Sequence, residues 1–133
     1  MSDGQAANSS HPALPDSGLL TLLNGSTLRI TVKDLEQMRD SLQAYLHANK
    51  DELATQGVYQ SFLDELGRAG LFFTGQGKGH VGAWTVSVYQ GEPMLIRREI
   101  PKEKITTDWY AALLKTESGW QVERLFPVRM HWK

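Results

Sequence analysis

From Trp120 to Trp132 the even positions are Trp120, Val122, Arg124, Phe126, Val128, Met130 and Trp132, while the odd positions are mostly polar. A period of two is the mark of a strand with one face in a core, because successive side chains point to opposite sides of a sheet. A strand this long cannot stand alone, so it dictates a partner strand and an element to cover the apolar face. Arg124 is the exception on that face. An arginine there must be paired, solvated at a rim, or turned toward a pocket, since burying an unpaired charge is costly.

The preceding run, Thr106 to Thr116, supports two readings. Its Ala-Ala-Leu-Leu-Lys segment has helix propensity, and Thr107 is a candidate helix cap. Thr116-Glu-Ser-Gly119 is equally good hairpin chemistry. A four-residue loop pairs Lys115 with Trp120, Leu113 with Val122, Ala111 with Arg124 and Trp109 with Phe126. The apolar faces then coincide, which favours a strand because cross-strand pairing overrides local propensity. Pro127 argues for an edge position or a break in the last strand.

Val81 to Tyr89 and Met94 to Ile100 form a second candidate hairpin around Gly91-Glu-Pro93. A three-residue loop pairs Val88 with Ile96, Val86 with Arg98 and Trp84 with Ile100. That register puts Arg98 on an apolar face too, and Pro101 to Lys104 breaks the strand. Leu71 to Thr74 is a further short apolar run. Upstream, Asn24-Gly25 separates two apolar runs and suits a type I′ turn, with Thr27 to Thr31 the better strand.

Thr31-Val-Lys-Asp34 has the form of a capping box. Leu35, Met38, Leu42, Tyr45 and Leu46 follow at helical spacing, giving one apolar stripe. Leu53, Tyr59, Phe62, Leu63 and Leu66 mark a second amphipathic helix, with Gly57 as its weak point and Gly67 and Gly70 placed to end it. Met1 to Ser17 lacks periodicity and is expected to be a disordered tail. The expected fold is α+β: residues 18–133 as one domain, two N-terminal helices packed on a C-terminal antiparallel meander of four to five strands.

Composition narrows the function classes. The chain has 133 residues, 41% hydrophobic and 22% charged, with a net charge of −1 and no cysteine. Thiol catalysis, disulfides and cysteine-ligated zinc are excluded, and a cytoplasmic location is the expectation. No apolar run approaches the ~18 residues of a membrane span, and the absence of a charged-then-apolar segment at the N-terminus leads to the expectation of no secretory signal. Residues 1–70 carry five Lys/Arg against nine Asp/Glu, and residues 71–133 carry nine against six. The basic half is too dilute for a nucleic-acid footprint. Opposite charge in the two halves suits self-association.

Gly77-Lys78-Gly79-His80-Val-Gly82 matches G-x-G-x-x-G, yet a strand rather than a helix follows, so the dinucleotide-binding context fails. A hairpin loop is the expected structure, with Gly77, Lys78, Gly79 and His80 as its candidate binding residues. Arg98 and Arg124, with Trp84, Trp109, Trp120 and Phe126, form the other candidate: a concave sheet face binding a small anionic ligand through guanidinium groups. His80, Asp108, Ser87, Tyr89 and Tyr110 share no spacing that ties them into a catalytic set. His11, His47, His80 and His131 lack metal-ligand spacing, and no cofactor is expected.

Helices first and a meander of long strands after, over about residues 31–132 and with a hairpin beginning at Gly119-Trp120, resembles the cone-shaped rolls of the cystatin-like and nuclear-transport-factor-like kind. The resemblance is one of element order and includes no family-specific motif. It implies a sheet curled around a helix, with Arg98 and Arg124 at a cavity wall. The leading functional expectation is a small soluble non-enzymatic binding or accessory protein acting through protein contacts, homodimeric by self-association. The rival expectation is a pocket protein that binds or turns over a small anion.

Overall fold

A computed structural model describes residues 15–99 and 105–131. The chain runs β1 (Ser17–Thr21), β2 (Thr27–Thr31), α1 (Val32–Ala48), α2 (Lys50–Thr55), α3 (Tyr59–Gly67), β3 (Leu71–Phe73), β4 (Gly79–Val81), β5 (Trp84–Tyr89), β6 (Glu92–Arg97), β7 (Ile105–Thr116) and β8 (Gly119–His131). The fold is α+β. β1 and β2 form a two-stranded antiparallel sheet, and β3 to β8 form a six-stranded antiparallel sheet in sequence order. Residues 1–14 of the expected 1–17 tail, the break at 101–104 and Trp132 lie outside the described residues, and Ser17 at the end of that expected tail is the first residue of β1.

α1 forms as its sequence demands. The Thr31 backbone N–H donates to Asp34 Oδ2 at 2.7 Å, and the Asp34 N–H donates to Thr31 Oγ1 at 3.3 Å, completing the capping box. Its stripe of Leu35, Met38, Leu42 and Leu46 is fully buried. Each such side chain contributes roughly 1.5–3 kcal/mol on leaving water. The helix packs against both edge strands, β3 and β8, as well as β4. Edge strand β8 is tied down by α1, because Trp120 N–H donates to Gln37 Oε1 at 3.1 Å and Val122 N–H donates to Ser41 Oγ at 2.8 Å.

Several expectations are corrected. The second helix is two, α2 and α3, because Gly57 takes φ +77° and breaks the run. The sheet has six strands rather than four or five, since the run through Val81 and Trp84 folds back at Gly82, whose φ is +58°. Asn24 does not enter a type I′ turn. Leu22 N–H donates to Ser26 O, and only Gly25 takes positive φ, so the loop has three residues. The primed turn falls at Gln90 and Gly91 instead, with φ of +53° and +81°.

That turn changes the register of β5 with β6. Tyr89 pairs with Glu92, Val86 with Leu95 and Trp84 with Arg97. The expected partners were three residues further on, and an odd slip exchanges the faces. The last hairpin has the expected register from Thr116↔Gly119 to Leu113↔Val122. A bulge then leaves Glu123 unpaired and sets Ala112 opposite Arg124. Pro127 sits on β8 at the sheet edge, opposite Trp109. The segment at Thr106 to Thr116 is a strand.

Two apolar clusters result. The main core, on the helix side, holds Leu35, Met38, Phe62, Trp84, Val86, Leu95, Trp109, Ala111 and Trp120, with Leu125 against it. The opposite face carries Met94, Ile96, Tyr110 and Ala112, flanked by Tyr89, Phe126 and Val128.

Candidate functional site

The two slips separate the tryptophans from the arginines assigned to them. Trp84, Trp109 and Trp120 are on the helix side, 0%, 5% and 3% exposed, with Phe62 set edge-on to Trp84 and Trp109. Arg98 and Arg124 are not on that face. β6 presents Leu95 and Arg97 to the helices, and β8 presents Leu125, Pro127 and Arg129 there once past the bulge. The concave site of Arg98, Arg124 and three tryptophans is therefore corrected, for the reason that a strand has only two faces.

Arg97 occupies the helix-side position and is neutralised there. Its Nε and an Nη donate to the two Glu65 carboxylate oxygens at 2.9 and 2.7 Å, and its guanidinium lies 5.1 Å from the Phe62 ring centre. A cavity at this end is lined by Gln56, Phe62, Arg97, Thr107, Trp109 and Arg129, among others. Trp120 lines a separate groove beside Gln37 and Ser41.

Arg124 is exposed and lies over the Phe126 ring, 5.0 Å from its centre. It does not meet Arg98. Arg98 follows β6 and lines a cleft of ≈ 300 Å³ on the sheet's outer face with Lys78, His80, Ala83, Thr85, Ser87 and Ile96. Two candidates that the sequence holds apart, the glycine loop and an arginine twenty positions later, thus converge on one cleft. Neither Lys78 nor Arg98 has a carboxylate partner among the described residues, and no carboxylate lines the cleft.

The local chain explains the convergence. Thr74 accepts the Lys78 N–H on Oγ1 at 3.1 Å, while its backbone N–H donates to Lys78 O and its carbonyl receives the Gly77 N–H. This closes a tight loop between β3 and β4. Gly77 supplies the φ of +81° that the loop requires. A Cβ on Gly79 would come 3.0 Å from the Phe73 ring and 3.2 Å from Leu35 Cδ2, so any larger residue there needs those side chains to shift. Lys78 is thereby delivered beside His80 on β4.

His80 is partly buried and stacks on Phe72, its cross-strand partner, with ring centres 4.9 Å apart and planes 9° from parallel. Thr85 Oγ1 stands 3.5 Å from His80 Nδ1. Burial and then the Lys78 charge push the imidazole below the ordinary value of 6.5. At neutral pH the cleft accordingly offers the exposed side chains of Lys78 and Arg98, a neutral imidazole and the hydroxyls of Thr85 and Ser87.

The residues of the paper catalytic set divide. Ser87 and His80 line the cleft, but Asp108 is on β7, three strands from β4, where it accepts the Glu99 N–H at 3.0 Å. Tyr110 and Tyr89 contact edge-on in the outer apolar cluster, and burial raises the Tyr110 phenol above its usual value. Thr85 and Phe72 were missed as site residues, and Ser87 was considered only for catalysis. The signal for the hydroxyls was present, since Thr85 and Ser87 alternate with Trp84 and Val86 on the polar face of one strand. Among the described residues no cluster of three or more His, Asp or Glu is arranged to hold a metal, and no helix is long and apolar enough to cross a membrane.

No family model, no curated protein and no solved structure matches this chain.

Proposed function

We propose that this chain is a small binding protein whose ligand is anionic and is held in the cleft of Lys78, His80, Thr85, Ser87 and Arg98. The observation that carries this reading is that Lys78, from the loop before β4, and Arg98, just after β6, line one cleft that no carboxylate lines among the described residues. An anion in the cleft would meet two exposed cations with no lining carboxylate among the described residues to compete for them. A guanidinium suits carboxylate or phosphate geometrically, an ammonium adds a point charge, and the hydroxyls donate further bonds. No nucleophile–base–orienter set accompanies them, which supports binding rather than turnover.

The test is thermal stability in low-salt buffer with inorganic phosphate. A ligand that binds the native state must stabilise it. Phosphate is expected to raise the melting temperature of the parent chain and to do little for a Lys78→Ala/Arg98→Ala double variant. Arg129→Ala, at the opposite end of the helix side, should behave as the parent. Equal response in the parent and the double variant would refute the reading.

Self-association is a second reading, favoured by the partly exposed Tyr89, Phe126 and Val128 beside the buried Met94, Ile96 and Tyr110 on the outer face. Light scattering across a concentration series would find a dimer if it holds and a constant monomer mass if it fails. The contact of α1 with both edge strands supports the resemblance to a roll.

A further inference from the structure

The anion cleft does not stand alone. β4 pairs only with Trp84 and Thr85 of β5, so from Val86 onward that edge of β5 has no hydrogen-bonded partner strand among the described residues. β1 comes against β5 here, and the glycine loop lies across the opening. Between them is a second cleft of ≈ 300 Å³ with a mixed lining: the apolar Leu20, Ile30, Phe73, Val86 and Val88, the glycines Gly18, Gly77 and Gly79, and the polar Thr21, Gln76, Lys78 and Ser87. Its position depends on close backbone approach. A Cβ on Gly18 would overlap the Gly77 carbonyl oxygen, so the hairpin and the loop meet only because residue 18 is glycine.

Lys78 and Ser87 line both clefts. The second cleft, with its aliphatic and aromatic side chains, therefore adjoins the cationic one at these two residues. A ligand matching this sequence of surfaces has a negative head and a short apolar tail. Inorganic anions would use one cleft and leave the other without a role. Apolar molecules would bring no charge to Lys78 and Arg98.

We propose that the ligand is a small amphipathic anion, such as a medium-chain carboxylate. Its head group lies among Lys78, Thr85, Ser87 and Arg98, and its tail passes Lys78 into the cleft of Leu20, Ile30, Phe73, Val86 and Val88. This rests on the anionic reading of the Lys78–Arg98 cleft. The tail cleft is what selects one anion over another, because each buried methylene raises affinity about fourfold. The charge contacts are shared by all anions.

Calorimetric titration of the full chain with acetate, octanoate, octan-1-ol and inorganic phosphate tests it. Octanoate should bind at least about tenfold more tightly than acetate, and octan-1-ol should bind weakly. Thr21 lines the second cleft and is exposed, so Thr21→Trp can obstruct the tail without disturbing the core. That variant should lose the advantage of octanoate over acetate and keep its response to phosphate. Lys78→Ala/Arg98→Ala should weaken octanoate and phosphate together.

If acetate, phosphate and octanoate bind the parent alike and Thr21→Trp changes nothing, the amphipathic ligand is refuted and the anion cleft stands. If octan-1-ol equals octanoate and the double variant binds both normally, the anion reading falls and takes this proposal with it. Absence of binding by all four probes overturns both.

Discussion

Arg97 grips Glu65 with two nearly parallel hydrogen bonds, joining the end of β6 to α3 across 32 positions of chain. Both side chains are 26% exposed, so the pair is neither a free surface contact nor a sealed interior one. Removing one partner strands the other against Phe62 and Trp109. Glu65→Ala should cost about 1–2 kcal/mol in urea unfolding, below the value of a fully buried pair. Arg97→Met, which keeps a long side chain over Phe62, should cost less than Arg97→Ala.

Gly18 tests how tightly the two-stranded sheet is bound to the main one. Gly18→Ala forces a methyl group onto the Gly77 carbonyl and should destabilise by about 1–3 kcal/mol, the usual scale of overpacking. Gly75→Ala is the control in the same loop. A Cβ there meets nothing within 4 Å, and its backbone is not in the left-handed region. It should be neutral. Equal effects of the two changes would show that the contact between β1 and the loop is not a stability determinant.

The turn at Gln90 and Gly91 carries the register of β5 with β6. Gln90 holds φ at +53°, a region that β-carbon sterics disfavour and that asparagine tolerates better. Gln90→Asn creates the preferred Asn-Gly pair of a type I′ turn. A gain of roughly 0.5–1 kcal/mol is expected, read as an increased midpoint of denaturation at unchanged slope. A loss of stability would mean that the glutamine side chain does something the geometry does not reveal.

His80 gives the cleft a pH signature with two opposite signs. Folding lowers its proton affinity, so the unfolded chain binds more protons in the interval below 6.5. The stability this group contributes is present above 6.5 and lost as pH falls toward the lowered folded value. His80→Gln should flatten that part of the stability profile. A bound anion reverses the preference by favouring the imidazolium, so phosphate should tighten as pH drops through the same interval. Proton NMR titration of the His80 ring with and without phosphate reads both. An unchanged midpoint on adding phosphate would place the anion away from His80.

Much of the fold was legible because its signals are local. The capping box of Thr31 and Asp34, the stripe from Leu35 to Leu46 and the alternation of β5, β7 and the start of β8 each involve neighbours within a few residues. The first pairs of the last hairpin followed from matching two such patterns. The break at Gly57 was visible as a weak point, and its strength was decided by the backbone angle the glycine took up.

What the sequence alone determined was therefore the long helix α1, most of the strands and their α+β order, and that Lys78, His80 and Arg98 stood out from their surroundings. The split at Gly57, the separate β4 and the choice of strand at Thr106 to Thr116 lay beyond it. Tertiary structure decided which face each side chain joined. A three-residue slip set by Gln90 and Gly91 gave Arg97 to the helices and Arg98 to the outer face. One unpaired residue, Glu123, moved Arg124 away from the tryptophans. Side chains in a strand repeat every two residues, so one odd step in pairing reverses every assignment beyond it. Those steps are settled by how turns and bulges fit the packed sheet. The placing of Lys78 and Arg98 in one cleft, which alternation could not foresee, is the product of that fit.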